Sequence, residues 1–152
     1  MMSLALNFLW LVCGGLIAGL GWFVAGFVMA ISIIGLPWAR SCFVLGRFSL
    51  APFGYDVISR RTLTGYDDLG TGVLGFFGNV IWFVLFGWIL AVWHLFWAIV
   101  LAFTIIGIPF AFQHLKLAGA SLFPVGKTVQ PNELVSFARR EDAYERYRAM
   151  RG

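Results

Sequence analysis

Two stretches of this chain carry no Asp, Glu, Lys or Arg, one from Met1 to Ala39 and the other from Leu69 to Leu115. A single helix needs ~20 apolar residues to cross a bilayer, so each run is long enough to span once and continue. No soluble fold of 152 residues could bury them. With 61% apolar and 12% charged residues the chain lies far from the ~45–50% and ~25% of globular domains. An integral membrane protein is expected. The formal charge of +4 does not point to nucleic acid, because the basic residues flank apolar runs, where they act as topology signals. Cys13 and Cys42 lie in or beside these runs and are expected to be buried free thiols. The first run is too long for a secretory leader and has no basic residue before it, so it is expected to stay.

Laid on itself so that Asn7 falls on Asn79, the chain matches without a gap. In that alignment Trp10 meets Trp82 and Gly15 meets Gly87. Ile33, Ile34, Gly35 and Pro37 meet Ile105, Ile106, Gly107 and Pro109; Ser49, Leu50, Pro52 and Gly54 meet Ser121, Leu122, Pro124 and Gly126. Between Ser3–Asp56 and Gly75–Thr128, 17 of 54 positions are identical. Scarce residue types match in order, so apolar bias does not explain it. The repeating unit reads N-x-x-W, then I-I-G-x-P, then S-L-x-P-x-G. The expected organisation is a membrane domain over residues 1–128, with repeats 3–56 and 75–128 joined by a connector 57–74. A polar cytoplasmic C-terminal helix is expected over 129–152, beginning after Pro131 with Asn132 as its cap.

This doubled signature resembles the YccF-type family of small bacterial inner-membrane proteins, over about Asn7 to Lys127. The second copy departs from the first at Val125, where the first has Phe53. The resemblance implies a location in the inner membrane. It supplies no catalytic residues, cofactor or mechanism.

At ~1.5 Å per residue the two runs would reach ~58 and ~70 Å as straight helices, against a hydrocarbon core of ~30 Å. Each is therefore expected to fold back near its middle, at Gly19 and Gly21 in the first and at Ala91–His94 in the second. That gives helices near residues 4–20, 22–47, 73–92 and 94–118, an all-α tandem of two helical hairpins with about four membrane-embedded helices. Arg40, Arg47, Arg60 and Arg61 follow the first unit; Lys116, Lys127, Arg139 and Arg140 follow the second. An even number of crossings keeps all of them inside, so both termini are expected in the cytoplasm, with the hairpins parallel about an axis along the membrane normal. A re-entrant or interfacial hairpin stays open as an alternative.

Asn7 and Asn79 are polar groups at membrane depth that need a partner, as are Ser32, Thr104 and His94. These five are the candidate path-lining residues, with inter-helix hydrogen bonding as the structural alternative for the asparagines. Gly35, Pro37, Gly107 and Pro109 are expected helix breaks, and Pro52, Gly54, Pro124 and Gly126 turn motifs. His94 is placed at an outer, wet turn and His114 at the cytoplasmic boundary; so far apart, and without an acidic or thiol companion, they imply no metal site. Gly126-Lys127-Thr128 lacks the first glycine of a phosphate loop, because Ser121 stands there. Hydrolase and protease motifs are absent from the sequence, so no enzyme activity and no cofactor are expected. The leading expectation is a self-associating membrane protein that forms a pore or supports a transporter. The rival is a non-conducting scaffold or regulatory subunit that binds a membrane-protein partner.

Overall fold

A computed structural model describes residues 2–32 and 35–152. Helix α1, Met2–Ile31, takes up most of the first charge-free run, and α4, Val73–Ala102, most of the second. Each has 30 residues, about 45 Å of helix. After a short reversal each is followed by a helix of half its length, α2 (Leu36–Leu50) and α5 (Ile108–Leu122). The rest of the chain is polar: strand β1 (Tyr55–Ser59), the short α3 (Arg60–Thr64), strand β2 (Lys127–Pro131) and α6 (Asn132–Arg151).

The fold-back expected at Gly19 and Gly21, and at Ala91–His94, does not occur; helix continues through both places, and the first long helix kinks earlier, at Gly14. An internal glycine costs a helix only ~1 kcal/mol, and Gly19 offsets it by close packing, since a Cβ there would collide with Leu50 of α2. The chain reverses at the Gly-x-Pro elements instead. Pro37 and Pro109 sit in the first turns of α2 and α5, where a missing N–H costs nothing. Gly35 and Gly107 tuck against the ends of the preceding helices, at Met29 and Leu101. Ile33 and Ile34 of the first element lie outside the described residues.

Both long helices widen into one π turn, at Leu11–Gly15 and Phe83–Gly87, one repeat apart. In the first, Gly14 has φ +146°, a conformation open only to glycine. Its counterpart is Phe86, which keeps negative φ.

The polar segments are not only helix and loop. β1 and β2 form an antiparallel ribbon that was not expected, and α6 begins after Pro131 as expected, at Asn132. Asn132 is the first helical residue; Pro131 holds the cap position, without a side-chain cap. The register pairs Tyr55 with Pro131, Val57 with Val129 and Ser59 with Lys127. Val57 and Val129 are also equivalent positions of the two repeats, so the ribbon is centred on a pseudo-twofold axis that exchanges the repeats.

The hairpins pack about that axis in opposite senses. Phe53, at the base of the first hairpin, meets Phe110, at the reversal of the second, with centroids 5.5 Å apart. Trp38, at the reversal of the first, donates its Nε1–H to the Gly78 carbonyl at the base of the second, at 3.0 Å. The expected side-by-side arrangement in one sense is thus replaced by a head-to-tail one. α2 and α5 meet at mid-length through Cys42, Leu45, Phe48, Leu117 and Ala120, with Val57 of the ribbon against both clusters formed there. Ile58 with Val135 and Ala138 then fastens α6 to the ribbon.

Candidate functional site

The repeated motif closes each hairpin. Asn7 brackets one peptide unit on each side of Phe53: its Nδ2 donates to the Phe53 carbonyl at 3.0 Å, and its Oδ1 accepts the Phe53 N–H at 2.9 Å. Asn79 does the same to Val125, at 3.0 and 2.9 Å. One turn along, the indole N–H of Trp10 reaches the Ser49 carbonyl at 2.7 Å and that of Trp82 the Ser121 carbonyl at 2.8 Å. These carbonyls belong to the last turn of α2 and α5, which has no intrahelical donor to meet them. The indoles lie so close over Gly15 and Gly87 that a Cβ at either would meet the ring. Gly54 and Gly126, at φ +93° and +86°, complete the turns that present Phe53 and Val125. Pro52 and Pro124, both fully buried, precede them. Asn, Trp, Gly, Ser, Pro and Gly therefore recur as one clasp, built twice.

Of the other candidates, Thr104 works at its reversal: its Oγ1 donates to the Leu101 carbonyl at 3.2 Å and accepts the Gly107 N–H at 2.9 Å. Ser32 is exposed in the matching bend. His94 is not at a turn; it lies inside α4, 4% exposed. His114 lies in the middle of α5. Their Nδ1 atoms are 3.0 Å apart. A hydrogen bond between two ring nitrogens needs one donor and one acceptor, so the pair holds at most one positive charge while the bond lasts. Trp10 covers His114 at 5.0 Å between centroids. In the first repeat the same place is filled by Trp22 and Cys42, under Trp82. Distance along the chain did not keep the histidines apart, because the hairpin folds them together. Among the described residues no group of three metal-ligating side chains occurs. Cys42 is buried as expected, whereas Cys13 is exposed on α1.

The seam between the repeats is filled by rings and leucines. Trp22 stacks on Trp82 at 6.1 Å and Trp10 on Phe110 at 6.2 Å, while Leu45, Phe48 and Leu117 are at most 1% exposed. Two grooves lie outside the seam, between the ribbon and the short helices, and none of the five candidate path residues lines either of them. Off their buried stripes α1 and α4 present Phe8, Val24, Phe27, Trp93 and Phe96 outward, an apolar surface that water would not cover favourably.

The polar elements carry the charges. Arg60 grips Asp68 with two hydrogen bonds, one of them 2.8 Å from Nη2 to Oδ1. Arg60 holds the Asp68 carboxyl well below the usual carboxylate range. Arg139 of α6 reaches Asp56 of the ribbon at 3.1 Å.

The family described as an inner membrane component domain, YccF, matches this chain twice, at residues 5–55 and 77–127. The inner membrane protein YccF of Escherichia coli is 35% identical over 150 residues, which covers 96% of this chain and 99% of that protein; the Shigella flexneri protein of that name matches equally. No solved structure matches the chain.

Proposed function

The chain belongs to the YccF family of inner membrane components, and from that premise we propose that it is a non-conducting membrane scaffold without catalytic chemistry of its own. Its helices lie in the cytoplasmic leaflet, and its ribbon and α6 form a basic platform that binds a membrane-protein partner.

The observation that carries this reading is the position of the ribbon. Val57 packs over the mid-length meeting of α2 and α5. Were the hairpins upright in the bilayer, the ribbon with Asp56, Arg60 and Arg139 would sit near its middle, where a charge costs several kcal/mol. With the axis along the membrane normal, the helices lie in the plane and every polar element faces one side. Arg40 and Arg47, both exposed on α2 and seven residues apart, then share one interface. Upright, they would differ by about 10 Å in depth. The 15-residue α2 and α5 also fall short of a full crossing, at about 22 Å against ~30 Å.

The filled seam argues against a path through one copy, which is why the scaffold replaces the pore as the leading reading. Arg139, Arg140, Arg146, Arg148 and Arg151 on α6 suit the platform to anionic headgroups and to an acidic partner surface.

Single cysteines at Thr64 and at Thr104, in a background lacking Cys13 and Cys42, test the placement. Neither is expected to react with an impermeant maleimide in intact cells. Labelling at Thr104 from outside would establish a crossing hairpin and overturn the in-plane arrangement. Reconstituted protein is expected to pass no ions at any voltage, and sustained flux would restore the pore. A photo-crosslinker at Tyr147 is expected to capture a discrete membrane protein; capture of lipid alone would remove the partner.

A further inference from the structure

The twofold axis relates two grooves, each between the ribbon and one of the short helices. One is lined by Val44, Arg47, Phe48, Tyr55, Thr128 and Val129. Moved to their equivalents in the other repeat, these positions become Lys116, Gly119, Ala120, Lys127, Asp56 and Val57, all of which line the other groove. The backbone cradle is the same and the chemistry is not. The second groove, a cavity of about 470 Å³, gathers Lys116, Lys127 and Arg139 with Asp56 as the carboxylate among its lining residues.

Each cation is held in place by a main-chain carbonyl. Lys116 Nζ donates to Tyr55 at 3.0 Å, Lys127 Nζ to Gly119 at 2.8 Å and Arg139 Nη2 to Val57 at 3.1 Å. Arg139 also takes up Asp56, the carboxylate that lines the groove, and among the described residues neither lysine forms an ion pair with it. Burial lowers the pKa of Lys127 from its ordinary value, against the pull of Asp56. Two fixed ammonium groups with donors to spare suit a phosphate. Beside Lys116, Leu115 and, one turn toward the start of α5, Phe112 continue the wall and are exposed.

We propose that this groove binds the phosphate of an anionic phospholipid, held by Lys116, Lys127 and Arg139, with an acyl chain along Phe112 and Leu115. The apolar wall and the place of the groove at the membrane face of the ribbon select a lipid over free phosphate. The twofold-related groove, with Val44 and Tyr55 where the lysines stand, does not share the site. The assignment rests on the in-plane placement for its depth. The two fail separately: external labelling at Thr104 overturns the placement, and lipid retention reads the groove.

The test is native mass spectrometry of the full chain in detergent, titrated with phosphatidylglycerol and, separately, phosphatidylcholine. Wild type is expected to retain phosphatidylglycerol in preference. Lys116→Gln with Lys127→Gln should weaken that retention about twenty-five-fold, a factor of about five for each lysine. Lys116→Arg with Lys127→Arg should keep it, as should Arg61→Gln, an exposed residue of α3 outside the groove lining. If the double glutamine variant does not purify, Lys116→Gln alone carries the test with a loss of about fivefold. Equal retention of both lipids, or an undiminished preference in the glutamine variants, would overturn the site. Displacement of the lipid by millimolar inorganic phosphate would overturn the lipid assignment in favour of free phosphate.

Discussion

Trp10→Ala is expected to lower the stability of the detergent-solubilised protein by about 3–5 kcal/mol, the range for truncating a buried Trp. At about 2–4 °C per kcal/mol for a chain of this size, the melting temperature falls by about 6–20 °C. The indole is 4% exposed and touches three elements: it bonds the Ser49 carbonyl, packs against Phe53 at the base of its own hairpin and stacks on Phe110 of the other. Its removal opens a cavity over Gly15, a residue that cannot move in to fill it. Trp82→Ala should behave alike, because Trp82 stacks on Trp22 and bonds Ser121 in the same way. Trp10→Phe should separate the two contributions. It keeps most of the ring contact and leaves the Ser49 carbonyl unpaired, at a cost of about 1–3 kcal/mol. Phe8→Ala on the exposed face of α1 is the control, expected within about 0.5 kcal/mol of wild type. Thermal unfolding by circular dichroism checks all four. A Trp10→Ala protein that melts with wild type would remove the clasp as the element that closes the hairpin.

The repeat, the membrane location and the polar tail were legible in the residues, because each rests on order or composition. Two charge-free runs and a gap-free internal period survive any uncertainty about where helices end. The reversal points were misplaced for a local reason. Gly19 and Gly21 look like breakers in a list of residues, yet an internal glycine costs a helix only ~1 kcal/mol, and at Gly19 Leu50 packs into the space a side chain would take. Gly-x-Pro marks the true reversals, since a proline suits the start of a helix far better than its middle. The ribbon was missed because β1 and β2 are five residues each and pair across the repeats. Neither strand has a turn signal joining it to the other. The sense of the two hairpins was out of reach for a similar reason. A gap-free duplication fixes that the units are alike and says nothing of the axis that relates them. That axis becomes visible only once Val57 is found opposite Val129. The charge argument for parallel hairpins assumed that basic residues sort by helix end, whereas Lys116 and Arg47 reach the ribbon groove regions from within α5 and α2. The histidines show the limit most directly: His94 and His114 occupy matching heights on adjacent helices, and only the hairpin's register makes them neighbours.

The asparagines decide between the two functional readings. Asn7→Leu with Asn79→Leu is expected to destabilise the protein strongly and to leave no conduction to lose. Each asparagine satisfies both the N–H and the carbonyl of one residue, Phe53 or Val125, in a part-buried turn. Leucine keeps the same count of side-chain heavy atoms in a bulkier form, so some overpacking adds to the loss from the unpaired backbone groups. At about 1–3 kcal/mol for each orphaned group, with some regained from solvent or neighbouring donors, the double variant should lose several kcal/mol. Asn7→Asp supplies the contrast. A carboxylate still accepts the Phe53 N–H and cannot donate to its carbonyl, so that variant should fall between wild type and Asn7→Leu. The ribbon hangs directly on these turns, because Phe53 and Val125 stand two residues before Tyr55 and Lys127. Loosening the clasp should therefore free the ribbon before the helices come apart, seen as faster amide exchange in β1 and β2 with α1 and α4 still protected. A pore lined by these asparagines predicts the opposite pair of results: melting unchanged, and an ion flux in wild-type proteoliposomes that the leucines abolish.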